Sequence, residues 1–237
     1  MDCAEVGQGL QNHLGLERQA VAITFLAEPP AGVPRVKAPQ PASCSYWKMA
    51  SDGAVFFTTA EDHLNCVIGA YTHGVSLSPE KGAELQATLG QMFALNYVRQ
   101  PEVAQIPVNK DQFQVAVYSP LALSPCDPQV VIVRGNARHL MLLTEAAAAA
   151  GIPCDEPKTR PTCAFIPATI QTGHANTSFA CIGNRVYTEM EADELYFAIP
   201  GSRVAELVEQ LETILSANHA LEGFHQARTQ ALGSSAA

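Results

Sequence analysis

Short apolar runs along the chain predict six β-strands. A run that is rich in β-branched or aromatic residues and is bounded by turn residues is typical of a strand buried on both faces. The clearest example is Ala-Val-Ala-Ile-Thr-Phe-Leu at 20–26. The other runs lie at 54–59, 114–118, 129–133, 176–181 and 194–199, and the fifth of the six leads into a glycine turn at Gly183.

Apolar residues spaced three and four positions apart predict helices between these strands. The clearest helix begins after Ser78, which can cap it, and has Pro79 at its first position. Its apolar stripe consists of Leu85, Leu89, Met92, Phe93 and Leu95. Further helices are predicted at 4–13, 44–50, 135–150 and 203–217. Residues 61–72 begin like a helix, whereas five prolines within 28–42 predict an extended loop.

The interleaving of strands and helices predicts an α/β or α+β fold in which a mixed sheet is layered with helices. No sequence repeat of fixed period is present, which argues against solenoids and propellers. Hydrophobic residues make up 47% of the 237 positions and charged residues 16%, so the chain can bury a sizeable core. Because so many apolar residues accompany so few charges, we also expect subunit interfaces and a homo-oligomer.

Charge and the chain termini restrict the partners and the compartment. Lys and Arg number 14 against 23 Asp and Glu, and the net charge of −9 argues against nucleic acid as a partner. No basic residue precedes Arg18, and no apolar stretch is long enough to cross a bilayer. The sequence therefore predicts a cytoplasmic protein without a membrane segment, in which thiols stay reduced.

Seven cysteines are the main chemical lead, and none of them lies in a Cys-x-x-Cys motif. Four occur beside small or turn residues at the ends of predicted elements. Thiolates from separate loops can converge on a [4Fe–4S] cluster without any local spacing. The competing interpretation is that each cysteine is a small buried residue, and the other three fit it best. The four candidate ligands are Cys44, Cys66, Cys163 and Cys181, and the other three are Cys3, Cys126 and Cys154.

Two further hypotheses concern Cys66 and its histidine neighbours. A single nucleophilic thiol would need a base, and His63 or His73 could serve. His63 and Cys66 would share one helix face at a spacing of three residues. The same two side chains could instead be ligands of a zinc ion.

Polar residues after the last glycine turn suggest a ligand site without metal. Arg185 can hold a carboxylate or phosphate in a bidentate manner, and Asn184 precedes it. A pocket for an anionic small molecule could combine Arg185 with Asn136 and Arg138 at the start of a predicted helix. A salt bridge from Arg185 to the neighbouring glutamates is the structural alternative. Neither a dinucleotide fingerprint nor a Walker loop is present, so neither cofactor class is predicted.

Several stretches resemble the uncharacterised prokaryotic family known as domain of unknown function 169. The most specific is Cys-Ile-Gly-Asn-Arg-Val-Tyr at 181–187, followed by Asp-Glu-Leu-Tyr-Phe-Ala-Ile-Pro-Gly at 193–201. The remaining similar stretches lie at 21–26, 66–74, 128–132 and 162–165.

This resemblance implies one domain at 16–217, with a helical segment at 1–15 and a C-terminal tail at 218–237. It implies no activity. Cys66, Cys163 and Cys181 fall within the similar stretches, and Cys44 lies in the family's cysteine-bearing segment.

The leading hypothesis is a cytoplasmic protein that binds a metal centre through Cys44, Cys66, Cys163 and Cys181. A [4Fe–4S] cluster would fit four such thiolates, and Asn184 and Arg185 would then lie beside it or bind a small-molecule substrate. The alternatives are a metal-free protein that binds an anionic ligand near Asn184 and Arg185, and an oligomeric structural or regulatory protein.

Overall fold

A six-stranded sheet covered by helices on both faces forms the centre of the molecule. The computed structural model describes residues 1–110, 113–157 and 160–234. The strands run in the order β2-β3-β1-β4-β6-β5, and each of the five pairings is antiparallel. They are β1 (Val21–Leu26), β2 (Phe56–Thr59), β3 (Val115–Pro120), β4 (Val130–Asn136), β5 (Asn176–Ser178) and β6 (Glu194–Pro200).

Nine α-helices are present in the described part of the chain. Several of them begin after a residue whose side chain caps the helix. Ser78 caps α4 through its hydroxyl, as the sequence predicts. They are α1 (Cys3–Leu14), α2 (Ser43–Ser51), α3 (Val67–Thr72), α4 (Pro79–Ala94), α5 (Gln100–Val103), α6 (Ala137–Ala149), α7 (Phe165–Thr172), α8 (Ile182–Tyr187) and α9 (Val204–Ser234).

Alternation along the strands divides the interior into two cores. Val131 and Val133 of β4 face a core shared with α1, α6 and α9, whereas Val130 and Ile132 face a second core shared with α2 and α7. Successive side chains of a strand point to opposite faces, so a strand that is apolar throughout requires a layer on each side. The predicted fold class, helices layered on a sheet in one compact domain, is confirmed, and its antiparallel pairing makes the α+β description the appropriate one.

The end of the fifth strand differs from its prediction. The run at 176–181 pairs only as far as Ser178, and Cys181 becomes the N-cap of α8. Gly183 lies inside this helix rather than in a turn, because Ala180 adopts a φ of 64° and redirects the chain. The segment at 61–72 divides into a 3₁₀ turn (Ala60–His63) and α3.

The last helix is longer than its sequence predicts. It continues from Val204 to Ser234, so the described part of the predicted tail at 218–237 is helical, and residues 235–237 lie outside the described range. Its final turns are exposed, including Leu221 and Phe224. No described helix is both long and apolar enough to cross a membrane. The expected homo-oligomer stays a prediction.

The chain directly after β6 lies close to the segment directly before β4, and this close approach depends on a glycine. The Gly201 N–H donates to the Gln129 carbonyl at 2.9 Å, and a Cβ built on Gly201 would lie 1.7 Å from the Pro128 carbonyl oxygen. We expect Gly201→Ala to lower the free energy of unfolding by about 3 kcal/mol or more, since the clash is with backbone. Urea unfolding measures this change.

Gly223→Ala is the matched control for this variant. Gly223 lies in α9, and a methyl group added to it would have nothing within 4 Å. The same chemical change there should raise stability by up to about 1 kcal/mol, because alanine favours helix. Equal effects of the two changes would contradict the close approach at Gly201.

Candidate functional site

The four predicted cysteine ligands line one cavity over the second face of the sheet. The cavity has a volume of about 350 Å³ and lies among the starts of α2, α3, α7 and α8, with α4 on its outer side. The sulfur-bearing residues that line it are Cys44, Cys66, Cys163, Cys181 and Met92. The convergence that the sequence only suggested is therefore present, although the four residues span 138 positions of sequence from 44 to 181, both included.

Each of these cysteines lies where a helix or helical turn begins. Cys44 is the second residue of α2, whereas Cys66 and Cys181 are the N-cap residues of α3 and α8. Cys163 lies in the 3₁₀ turn (Thr162–Ala164) that leads directly into α7. Backbone N–H groups without helical partners are concentrated at such starts, and they favour negative charge on a nearby sulfur.

A glycine allows α2 and α3 to approach each other at the cavity wall. A Cβ on Gly69 would lie 2.7 Å from Ser43 Oγ and 3.5 Å from Cys66 Sγ. Any larger residue would push the neighbouring Cys44 and Cys66 apart, so Gly69 is part of the construction of the site.

Three of the sulfurs have hydrogen-bonding groups beside them. The Gly69 N–H donates to Cys66 Sγ at 3.4 Å, and the Thr72 hydroxyl donates to Cys163 Sγ at 3.1 Å. The Asn184 amide lies close enough to Cys44 to lower the pKa of its thiol against the larger effect of burial. Two of these donors belong to α3, so this one short helix serves two different cysteines.

Burial dominates the acidity of three of the four thiols. Burial raises the pKa of Cys44 to about 12, and Cys181 and Cys66 add to this shift. Burial likewise raises the pKa of Cys163 well above its ordinary value, with further contributions from Cys66, Cys181 and Cys44. Burial raises the pKa of Cys66, and Cys181 adds to it.

Burial favours the protonated thiol at Cys44, Cys66 and Cys163 by raising the pKa of each. Because a thiolate, not a thiol, is the nucleophile, raised pKa values at three of the four positions disfavour a single catalytic cysteine. The geometry around His63 points the same way, since its Nδ1 lies 2.8 Å from Ser43 Oγ and its Nε2 lies 2.9 Å from Thr58 Oγ1. Both imidazole nitrogens are therefore engaged away from Cys66, and the structure supports neither the base nor the zinc ligand proposed for His63.

A second histidine is buried beside the first. The rings of His63 and His73 lie 5.3 Å apart at an angle of 81°, and Phe25 packs on the other side of His73. Neither nitrogen of His73 has a hydrogen-bond partner among the described residues. His73 does not line the cavity, so its predicted role as a base for Cys66 has no geometric support.

The two polar residues that follow Cys181 have different surroundings. Asn184 is only 2% exposed and lines the cavity, and neither its amide nitrogen nor its amide oxygen has a well-formed hydrogen bond within the described structure. Arg185 is absent from the cavity lining. It donates instead to the backbone carbonyls of Phe179, Glu191 and Glu194. Arg185 thus holds the segments on either side of α8 together.

An ion pair that starts from strand β4 supports the segment that follows α8. Arg134 of β4 pairs with Glu194 and also donates to the carbonyls of Thr188 and Glu189. Together with Arg185, it fixes the loop between α8 and β6. The glutamates expected as salt-bridge partners of Arg185 are present, but it is their carbonyls that Arg185 contacts.

The other residues proposed for an anion pocket lie elsewhere. The side chain of Asn136 caps α6 by accepting a hydrogen bond from the His139 N–H. Arg138 pairs with Glu222 beside a surface depression between α6 and α9. Arg138 and Arg185 therefore do not share the thiol cavity. Cys3, Cys126 and Cys154 also lie outside the cavity lining, which agrees with their interpretation as bystanders.

Sequence reasoning missed several residues of the site that carry no motif. Thr72 and Gly69 were overlooked because nothing in a single sequence marks a hydroxyl or a glycine as a neighbour of a distant cysteine. Arg160, Tyr97 and the inner face of α4 form the outer wall. The apolar stripe of α4 was visible, but it resembles that of any core helix.

No three or more His, Cys, Asp or Glu side chains in the described ranges are arranged to hold a metal ion. The zinc hypothesis at His63 and Cys66 therefore gains no support from the geometry. The four thiols surround a cavity instead of a single point.

Comparisons with known proteins agree with the resemblance found in the sequence. The family model for domain of unknown function 169, described as an uncharacterised ArCR, matches residues 9–210. The chain belongs to this family. An uncharacterised protein of the archaeon Methanocaldococcus jannaschii is 26% identical over 163 residues, which cover 66% of this chain and 69% of the relative. No solved structure matches the chain.

The two buried histidines predict how the stability of this family member depends on pH. Burial lowers the pKa of His63 to about 4 from an ordinary value of 6.5, and burial lowers that of His73 well below the same value. The unfolded chain therefore binds protons that the folded protein rejects. Stability is full above about pH 6.5 and falls as the pH decreases toward 4, by about 1.4 kcal/mol per pH unit for each histidine that takes part.

Urea unfolding of chelator-treated protein between pH 7 and 4 measures this dependence. His63→Gln should flatten the decline relative to the native chain. The exposed His219→Gln variant is the control. An unchanged slope in His63→Gln would show that the imidazole is not held neutral by burial.

Proposed function

We propose that this protein binds a [4Fe–4S] cluster through Cys44, Cys66, Cys163 and Cys181. The observation that supports this proposal is the presence of all four thiols around one cavity. Four cysteine thiolates are the usual ligand set of such clusters. The cluster would supply one-electron redox chemistry or a Lewis-acidic iron.

The shape of the site favours a cluster over a single ion. Metal–thiolate bonds of about 2.3 Å would bring four sulfurs within about 4 Å of one another around one tetrahedral ion. A cubane instead places each thiolate on a different iron, so the sulfurs stand roughly 6–7 Å apart. The four thiols border a cavity that measures about 350 Å³ in all, and a centre of that size would occupy its thiol-lined end.

The chemistry of the donors also fits a metal centre. Burying four thiolates without a cation is costly, which is the reason that burial raises the pKa values of Cys44, Cys66 and Cys163. A bound metal deprotonates its thiol ligands outright, because its positive charge replaces the lost hydration. The N–H of Gly69 and the hydroxyl of Thr72 would then donate to ligand sulfurs.

Iron and sulfide analysis tests the proposal. Protein purified anaerobically, or reconstituted anaerobically with iron and sulfide, should contain about four irons and four sulfides per chain. It should be brown, with broad absorbance above the protein band. Cys163→Ser should lose most of this iron, since it removes a buried ligand at the centre of the set.

Cys154→Ser is the matched control, because Cys154 is an exposed thiol outside the cavity. It should keep the iron and sulfide of the native chain. Colourless protein without bound iron after reconstitution would contradict the proposal, and so would equal losses from Cys154→Ser and Cys163→Ser.

The contact between Thr72 and Cys163 predicts a shift in reduction potential. The Thr72 hydroxyl lies within hydrogen-bond reach of both Cys163 Sγ, at 3.1 Å, and the Gly69 carbonyl, at 2.9 Å. Hydrogen bonds to ligand sulfurs stabilise the more negative, reduced cluster. Thr72→Val should therefore make the reduction potential more negative, as measured by a spectroscopic redox titration.

Thr72→Ser restores the hydroxyl and should return the potential toward that of the native protein. Thr88→Val, which makes the same change at a threonine of the cavity lining, is the control. Its hydroxyl donates to the Glu84 carbonyl within α4, so its potential should stay unchanged. Identical potentials for Thr72→Val and the native chain would exclude a role for this hydrogen bond.

A further inference from the structure

The cavity extends beyond the thiols to a second wall that contains no cysteine. This outer wall consists of one face of α4 and the segment that follows it, together with residues on either side of the mouth. The side chains that form it are those of Thr88, Leu89, Met92, Tyr97, Val98, Ile106 and Arg160. Most of this surface is apolar, as is usual for pockets that bind small organic molecules.

Helix α4 has an apolar stripe that the protein itself covers only in part. Leu85 is the single buried residue among the 16 residues of this helix. Leu89 and Met92, which follow Leu85 at helical spacing on the same face, are half-buried and line the cavity. A 16-residue amphipathic helix usually buries its stripe against a core, whereas the described residues leave Leu89 and Met92 of α4 only half-covered.

The mouth of the cavity carries one cation. Arg160 is the only Lys or Arg among the described lining residues, and its guanidinium lies 5.0 Å from the centre of the Tyr97 ring. The one lining acid, Glu84, already pairs with Lys81 at 2.7 Å. A cation held over an aromatic face is fixed in position and keeps its hydrogen-bonding edge available for a carboxylate.

The inner end of the cavity carries a buried amide with unmet hydrogen-bonding capacity. Asn184 is 2% exposed, and both of its amide atoms lack a well-formed hydrogen bond within the described structure. Buried amides are normally satisfied, and this one lies beside Cys44, whose pKa it lowers, so it marks the thiol end of the cavity. The cavity therefore has polar groups at both ends and apolar walls between them.

We propose that the outer part of this cavity binds a small monocarboxylate whose apolar body lies along α4 and whose carboxylate pairs with Arg160. A single cation matches a single negative charge, which favours a monoanion over a phosphate. Leu89 and Met92 provide the apolar contact, and the apolar end of the ligand points toward the thiols. This binding site goes beyond the metal centre and stands whether or not iron is bound.

Isothermal titration calorimetry with straight-chain carboxylates tests this site. Butyrate, hexanoate and octanoate are titrated into both the iron-free and the reconstituted protein, with hexan-1-ol and octan-1-ol as neutral counterparts. Affinity should rise along the carboxylate series by up to about fourfold per added methylene, as apolar burial predicts. Each alcohol should bind at least about tenfold more weakly than the acid of the same length.

Two variants locate the binding. Arg160→Gln should weaken octanoate binding at least about tenfold, because it removes the charge and leaves a shorter, neutral polar side chain. Arg138→Gln is the matched control, since Arg138 lies beside the depression between α6 and α9 and outside this cavity. Met92→Trp should block octanoate binding by filling the outer part of the cavity. Circular dichroism verifies that each variant is folded.

Hydrogen exchange gives a second readout. Octanoate should slow amide exchange within α4, at 79–94, because the ligand covers the half-buried side chains of Leu89 and Met92. Exchange in α6 should stay unchanged.

Several results would overturn the proposal. They are equal affinity for acids and alcohols, equal loss from Arg160→Gln and Arg138→Gln, or no saturable binding in either form of the protein. The outcome is separable from that of the cluster. Octanoate binding by protein that never takes up iron would uphold this site and reject the cluster, and iron without octanoate binding would do the reverse.

Discussion

Burial of the central sheet on both faces is the constraint on which the rest of the structure depends. Side chains of β4 alternate, so Val131 and Val133 pack into one core and Val130 and Ile132 into the other. The first core is closed by the three long helices α1, α6 and α9. The second lies under the shorter helices whose first residues carry the thiols, so all the candidate chemistry is confined to one side of the sheet.

Short helices on that second face can bring distant cysteines together without any local motif. Each helix start contributes one thiol, and Gly69 lets the starts of α2 and α3 approach each other closely. The polar network beneath them is fixed from the sheet by Arg134 and from the loop by Arg185. Such rigid support is what a metal centre requires, because ligands must be held in place before the metal binds.

Much of the fold could be predicted from the residues, whereas the partners within the site could not. Short apolar runs bounded by turn residues located all six strands, because strand burial is a local pattern. The helix α8 was missed because Gly183 resembles a turn, and only the φ of 64° at Ala180 shows why the chain enters a helix there. The four cysteines were separated from the three bystanders by their positions at element ends. Arg185 was interpreted as a ligand group, but its role depends on three carbonyls whose positions the sequence does not reveal.

X-ray absorption at the iron K-edge of the anaerobically reconstituted protein tests the convergence of the four thiols most directly. The proposed cluster predicts iron surrounded only by sulfur at about 2.3 Å, with a second shell of iron. Iron surrounded by oxygen or nitrogen, or the absence of an iron edge in the reconstituted protein, would contradict a cluster held by Cys44, Cys66, Cys163 and Cys181.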